Sequence, residues 1–249
     1  VLAVRIIPVL LRRGTQLVKG QGFNSWRVVG HALQAARIHQ ARSVDELVVI
    51  DIGATPEGRP SDIKTVADLA IDCFMPLTVG GGITSIEQVR ALFMSGADKV
   101  LIGTAAFDNP SLIEQTARRY GRQAVVVAID VGGDGFVYVN CGSRITDRDP
   151  VIYAQQCENA GAGEILLTSI PRDGTLEGYD LDLIERMAAA VTIPVVAAGG
   201  CGTYEHMAEA LRAGAHAVAA GAMFQFTDAT PRGAAQWLAG QGFPTRVAA

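Results

Sequence analysis

The sequence predicts a (β/α)8 barrel made of two similar halves, and three observations predict it. Short apolar runs ending in glycine or a carboxylate alternate with helical patterns eight times along 249 residues. Several runs are apolar at successive positions, as in Ala124-Val125-Val126-Val127-Ala128-Ile129, which marks strands buried on both faces of a parallel sheet. The chain also repeats itself. Gly81 pairs with Gly199, Gly82 with Gly200, Gly96 with Gly214 and Gly103 with Gly221, all 118 positions apart, and the same offset joins Glu46-Leu47-Val48-Val49 to Glu164-Ile165-Leu166-Leu167. A doubly wound open sheet explains the alternation but not a register kept over half the chain. One domain, 1–249, is expected, with half-barrels of about 1–120 and 121–249.

The elements follow in order. Val4 to Leu10 is the first strand, and Gly14 to Gly30 a long, polar, glycine-rich connection carrying Lys19. His31 to Ala41 reads as a helix, Glu46 to Ile52 as the second strand and Ser61 to Cys73 as the next helix. Pro76-Leu77-Thr78-Val79-Gly80-Gly81-Gly82 is a strand ending in glycines, after which Ser85 and Gln88 form a capping box. Asp98 to Gly103 is the fourth strand, and Asn109-Pro110-Ser111 opens a helix that stops near Gly121. Gln123 to Asp130 is the fifth strand, with a small hairpin inserted after it around Phe136 to Asn140. Asp149-Pro150 opens a helix, Glu164 to Ser169 is the sixth strand, and Leu181 to Val191 is helical. Pro194 to Ala198 and Ala217 to Gly221 are the last strands, and Thr230-Pro231 begins the last helix.

Composition narrows the function. At 49% hydrophobic and 18% charged, the chain suits one large α/β domain, and its net charge of −4 argues against nucleic acid as a main partner. No apolar run is long enough for a membrane span and no secretory pattern opens the chain, so a cytoplasmic protein without a membrane partner is expected. The chain begins at a valine, so residues before it are expected. Cys73, Cys141, Cys157 and Cys201 are scattered, which reads as reduced structural thiols, and His31, His39, His206 and His216 lack ligand spacing. Neither a metal nor a cofactor is expected.

Loops that follow barrel strands gather on one face, where barrel chemistry sits. The candidates there are Lys19, Asp51, Gly82, Thr104, Asp130, Thr168, Asp173, Gly200 and Gly221. Glycine turns let phosphate approach backbone amides. Gly82, Gly103 and Thr104 make one such cradle and Gly200, Gly202 and Gly221 another, on opposite sides of the mouth, so a ligand with a phosphate at each end is expected. A single turn of this kind would read as a tight turn only; two in register favour phosphate. Asp130 is placed for general acid or base work, or as a partner for Lys19. Asp173 reads equally as a turn residue. At the other face Arg5, Glu46, Lys99 and Glu164 stand at the starts of four strands, either as a plug of salt bridges or as a gate on a passage.

These residues carry a resemblance. Arg5-Ile6-Ile7-Pro8, Leu17-Val18-Lys19-Gly20, Val79-Gly80-Gly81-Gly82-Ile83, Gly96-Ala97-Asp98-Lys99-Val100, Ala124 to Asp130 and Gly161 to Ile170 resemble the HisF family, the cyclase subunits of imidazole glycerol phosphate synthase, over almost the whole chain. The resemblance implies a barrel that docks a glutaminase as a heterodimer, admits ammonia at its base and uses it on a bisphosphate ribonucleotide. It implies an entrance ring of Arg5, Glu46, Lys99 and Glu164, with Asp98 and Gln123 at the partner interface, all present. It also implies two catalytic aspartates. One matches Asp130; the other falls on Leu11, which can neither give nor take a proton. Gly103, Ala198, Pro171 and Ala222 depart from the pattern at the same mouth.

Leu11, the Cys73-Phe74-Met75-Pro76 run and Ala220 to Phe224 resemble a paralogue branch linked to acetamidino sugars, in which barrel and glutaminase supply ammonia to a third, sugar-modifying enzyme. Against this ammonia-conducting barrel stands a working cyclase using Asp130 with Asp51 or Asp173. A sugar-phosphate isomerase cousin would need the acid that Leu11 replaces, and a bare phosphate-binding scaffold would have no partner.

Overall fold

The computed structural model describes residues 3–42 and 44–246. Twelve strands form one sheet, and eight of them close into a parallel barrel: β1 (Arg5–Arg13), β4 (Leu47–Asp51), β5 (Leu77–Gly80), β6 (Lys99–Ile102), β7 (Val125–Val131), β10 (Glu164–Ser169), β11 (Val195–Ala198) and β12 (Ala217–Ala220). Closure is made by β1 pairing with β12, Arg5 opposite Ala217. The expected (β/α)8 barrel is therefore the fold.

Helices cover the outside: α1 (Ala32–Ala41), α2 (Ile63–Asp72), α3 (Ile86–Met94), α4 (Thr104–Asp108), α5 (Ser111–Tyr120), α6 (Pro150–Asn159), α7 (Leu181–Ala190), α8 (Tyr204–Arg212), α9 (Ala222–Phe226) and α10 (Pro231–Gly240). The bounds of α1, α2, α3 and α4 recur in α6, α7, α8 and α9 at the 118-residue offset of the glycine turns. Helix starts follow side-chain chemistry: Asp62, Ser85, Asp149, Asp180, Thr203 and Thr230 each accept a first-turn amide. The capping box at α3 is altered, because Gln88 Oε1 accepts from the amide of Thr84, not Ser85.

The stretch expected as a long connection after the first strand is ordered. β1 runs on to Arg13 and turns into the antiparallel strands β2 (Gln16–Gln21) and β3 (Asn24–His31). Leu17 and Val18, both buried, supply the apolar anchor that the polar composition concealed. The second hairpin is present as expected, with β8 (Val137–Val139) and β9 (Arg144–Ile145) hanging from the end of β7. Two apolar volumes result. A large one lies between strands and helices, and a small one inside the barrel holds Ile7, Val48, Leu101, Val126, Leu166, Val196, Ala217 and Ala219.

Candidate functional site

Side chains alternate across a strand, so Arg5, Glu46, Lys99 and Glu164 all enter the barrel at its base. They form a closed circuit. Arg5 Nη1 meets Glu46 Oε2 at 2.6 Å and its Nη2 meets Glu164; Lys99 Nζ lies 2.9 Å from Glu46 Oε2 and 2.9 Å from Glu164 Oε2. Both carboxylates are buried, and each takes two cations, which offsets the cost of removing charge from water. Burial would raise the Glu164 carboxyl, but Arg5 and Lys99 outweigh it and hold it below the ordinary value. Thr78 completes the ring by donating its hydroxyl to Glu46 Oε1 at 2.6 Å. Sequence reading missed Thr78, although it is the inward residue of β5 facing Lys99.

Around this ring lies a surface. Asp98 and Gln123 are exposed there; Asp98 accepts from the Leu77 amide at 2.8 Å, and Gln123 donates to the Tyr120 carbonyl at 3.0 Å. At the same end, where helices finish and strands begin, Ile71, Phe74 and Met94 are 73%, 85% and 80% exposed. Three large apolar side chains are thus turned to water at the end that carries the charged ring.

At the other end a cavity of about 280 Å³ opens among the strand ends. Its walls are mostly aliphatic, with Leu11, Ile50, Ala128 and Ala198 on four strands. Phe23 and Trp26 roof it from the β2–β3 hairpin. Phe23 has φ +58°, a left-handed conformation uncommon for an aromatic residue, and its ring packs over Gly142.

The polar side chains form one group: Asp130, Thr168, Asp173 and Lys19 all border the cavity. Burial pushes the Asp130 carboxyl up to about 7, against hydrogen bonding from Thr168 and with help from the charge of Asp173. Burial lowers the Lys19 ammonium to about 8, opposed by Asp173, and lifts Asp173 to about 6, opposed by Lys19. Lys19 is thus coupled in charge to Asp173, while its ammonium donates to the Val9 carbonyl. Asp130 and Lys19 can exchange protons with a ligand near neutral pH.

Asp51 behaves otherwise. Its carboxylate lies 3.1 Å from Arg12 Nη2 and 2.8 Å from Arg59 Nη1, and it also accepts from the Gly53 amide at 3.1 Å. Those partners engage both carboxylate oxygens, and Asp51 borders the same cavity from the end of β4. Arg12, the largest fully buried side chain among the described residues, was not among the residues singled out in the sequence.

The two expected cradles divide. Gly82, Gly103, Thr104 and Gly221 border the cavity, on β5–β6 and β12 across the mouth from one another. Gly200 and Gly202 do not; they press against the carbonyls of Gly178 and Leu176, and the Gly202 amide donates to His206 Nδ1 at 3.2 Å. Some groups on the first side are already engaged. The Gly82 amide donates to Thr55 Oγ1 at 3.1 Å, and Thr104 Oγ1 accepts from the Asn140 amide at 2.8 Å. Short helices α4 and α9 start at Thr104 and Ala222, which leaves first-turn amides near the mouth on both sides.

Comparison with known proteins decides the family. A family model described as "Histidine biosynthesis protein" matches residues 5–230. Proteins named imidazole glycerol phosphate synthase subunit HisF are similar over the full length: 44% identity in Chlorobium phaeobacteroides, across 99% of this chain and all of the relative, and 43% in Pelodictyon phaeoclathratiforme with the same coverage. The Hyphomonas neptunium protein of that name is 44% identical across 99% of both chains. The chain belongs to the HisF family. As a HisF-family barrel, it has at its base all four charges that the resemblance implies, joined in one circuit. At its mouth it keeps Asp130 on β7 and presents Leu11 on β1. The ionisable group held against the inner end of β1 is Lys19, whose Nζ donates to the Val9 carbonyl at 3.0 Å. No helix among the described residues is long and apolar enough to cross a membrane.

Proposed function

We propose that this chain is the barrel subunit of a glutamine amidotransferase complex, paired with a glutaminase, and that it carries ammonia from base to mouth for a separate sugar-modifying enzyme. The observation that carries this reading is the contrast between the two ends: a complete ring of Arg5, Glu46, Lys99 and Glu164 below, and Leu11 in place of an acid above. A ring of buried charges is a costly plug where packed aliphatics would serve. Its retention beside the exposed Ile71, Phe74 and Met94 fits a docking face around an entrance. The curated relatives are named as subunits, which supports an assembly.

Leu11 speaks against ring closure. Removing one of two acid–base groups removes several orders of magnitude in rate, and Gly103, Ala198 and Ala222 take further polar groups from the same rim. The ligand of the mouth is a phosphorylated small molecule or a bisphosphate, held by the first-turn amides at Thr104 and Ala222 together with Lys19. The acceptor is an acetamidino-forming enzyme acting on a surface sugar.

One observation favours a second reading, a working cyclase of histidine biosynthesis. Asp130 at about 7 and Lys19 at about 8 are two groups on facing walls that trade protons near neutrality. Affinity purification of the tagged chain from its own cells separates the readings. Recovery of a glutaminase whose glutamine hydrolysis depends on this chain, together with a sugar-modifying enzyme, is the expected result. Recovery of the glutaminase alone, with full ring-closing turnover, favours the cyclase.

A further inference from the structure

We propose that Leu101 is the constriction between base and mouth, the side chain that sets how large a molecule can cross the barrel. What crosses rests on the ammonia reading above; the constriction itself does not.

Lys99 and Leu101 are successive inward residues of β6, so Leu101 stands about 7 Å above the charged ring. It is 3% exposed, belongs to the interior apolar cluster and also borders the mouth cavity. One layer of side chains therefore separates ring from cavity, and Leu101, Leu166 and Ala219 reach from it to the cavity wall. Its neighbours in that layer are mostly stiff: Ile7, Val48, Val126 and Val196 are β-branched, with restricted χ1. Leu101 and Leu166 are the two bulky members free to change rotamer.

Only Leu101 leans on bare backbone. The inward residue of β5 at its side is Gly80, where an added Cβ would lie 3.0 Å from both the Cβ and a Cδ of Leu101. The missing side chain makes the recess in which Leu101 rests. A turn of the leucine within that recess opens the layer without moving a strand. An apolar layer so opened passes a small uncharged molecule and rejects an ion, which would have to leave its water behind. Neutral ammonia satisfies both conditions; ammonium does not.

The test places a reporter below the layer. Thr78, the inward residue of β5 opposite Lys99, lies one step beneath Leu101 and does not border the cavity, so Thr78→Cys sets a thiol there in the full chain. Labelling by methyl methanethiosulfonate, followed peptide by peptide, is compared with native Cys141, a half-buried thiol at the mouth, as the internal reference above the layer. Leu101→Ala is expected to speed reporter labelling about tenfold relative to Cys141, through easier local opening. Leu166→Ala should speed it far less, and Gly80→Ala, which fills the recess, should slow it. Should Leu101→Ala fail to fold, Leu101→Val takes its place, with a smaller rise expected. Unchanged labelling in the Leu101 variants, or an equal rise in Leu166→Ala, overturns the proposal. If the labelling pattern holds but no glutaminase binds the chain, the ammonia reading falls and the constriction stands.

Discussion

Lys19 Nζ donates to the carbonyl of Val9 at 3.0 Å, which hangs a buried amine against the inner end of β1, two residues before Leu11. The strand that carries Leu11 thus has a base beside it, supplied by the hairpin that follows. Asp173 faces that amine, and its carboxyl, lifted to about 6 by burial, would go higher without it. Lys19→Met should therefore raise the Asp173 titration above 6, read by carboxyl carbon NMR. An unchanged or lower midpoint would mean that the two charges do not interact.

The basal ring makes a statement about stability. Lys99→Met leaves Glu46 and Glu164 with one shared cation and should cost about 3–5 kcal/mol at neutral pH, seen in chemical denaturation. The penalty should shrink in acid. Glu164 is held below its ordinary 4.5, so its contribution is present above that value and is lost as pH falls through the lower folded value. A penalty that stays constant down to the acid limit would contradict the ring's ionic character.

Asp130 works in the opposite sense. Its carboxyl rises from 3.8 to about 7, so the folded chain holds a proton that the unfolded chain has released, and stability falls as pH climbs between those values. Asp130→Asn should be more stable than the natural chain at pH 8, by about 1–2 kcal/mol once screening by cavity water is allowed for. The two should converge near pH 4. Thermal melts across that range decide it, and a destabilised variant at pH 8 would mean that the carboxylate is satisfied in its site.

Phe74 is the most exposed of the large apolar residues among those described, at 85%. Phe74→Asp should leave the melting temperature within a degree or two, since surface changes move stability by about 0.5 kcal/mol or less. It should nevertheless abolish or greatly weaken co-elution with the glutaminase. Undiminished co-elution would move the docking face elsewhere.

Much of this was legible in residues. Glycine turns at a fixed offset announced the barrel and its repeat, and four charges at strand starts announced the ring, because period-2 alternation decides which way each side chain points. The hairpin after β1 was hidden, since its two apolar anchors, Leu17 and Val18, sit among glycines and polar residues. The partners of Asp51 were hidden for a related reason. Its neutralising arginines, Arg12 and Arg59, reach it from the preceding strand and a later loop, and no local pattern records that meeting. Gly200 and Gly202 matched the first turn in sequence, yet the loop carrying Leu176 and Gly178 fills the space beside them.

The most direct measurement is turnover of the purified chain with ammonium salt and the bisphosphate ribulosyl-formimino carboxamide ribonucleotide, with no partner present. A rate several orders of magnitude below that of HisF relatives assayed alongside, little improved by Leu11→Asp, is expected of a barrel that conducts ammonia without closing the ring. Turnover equal to those relatives would contradict it, and would assign Asp130 and Lys19 the two proton transfers.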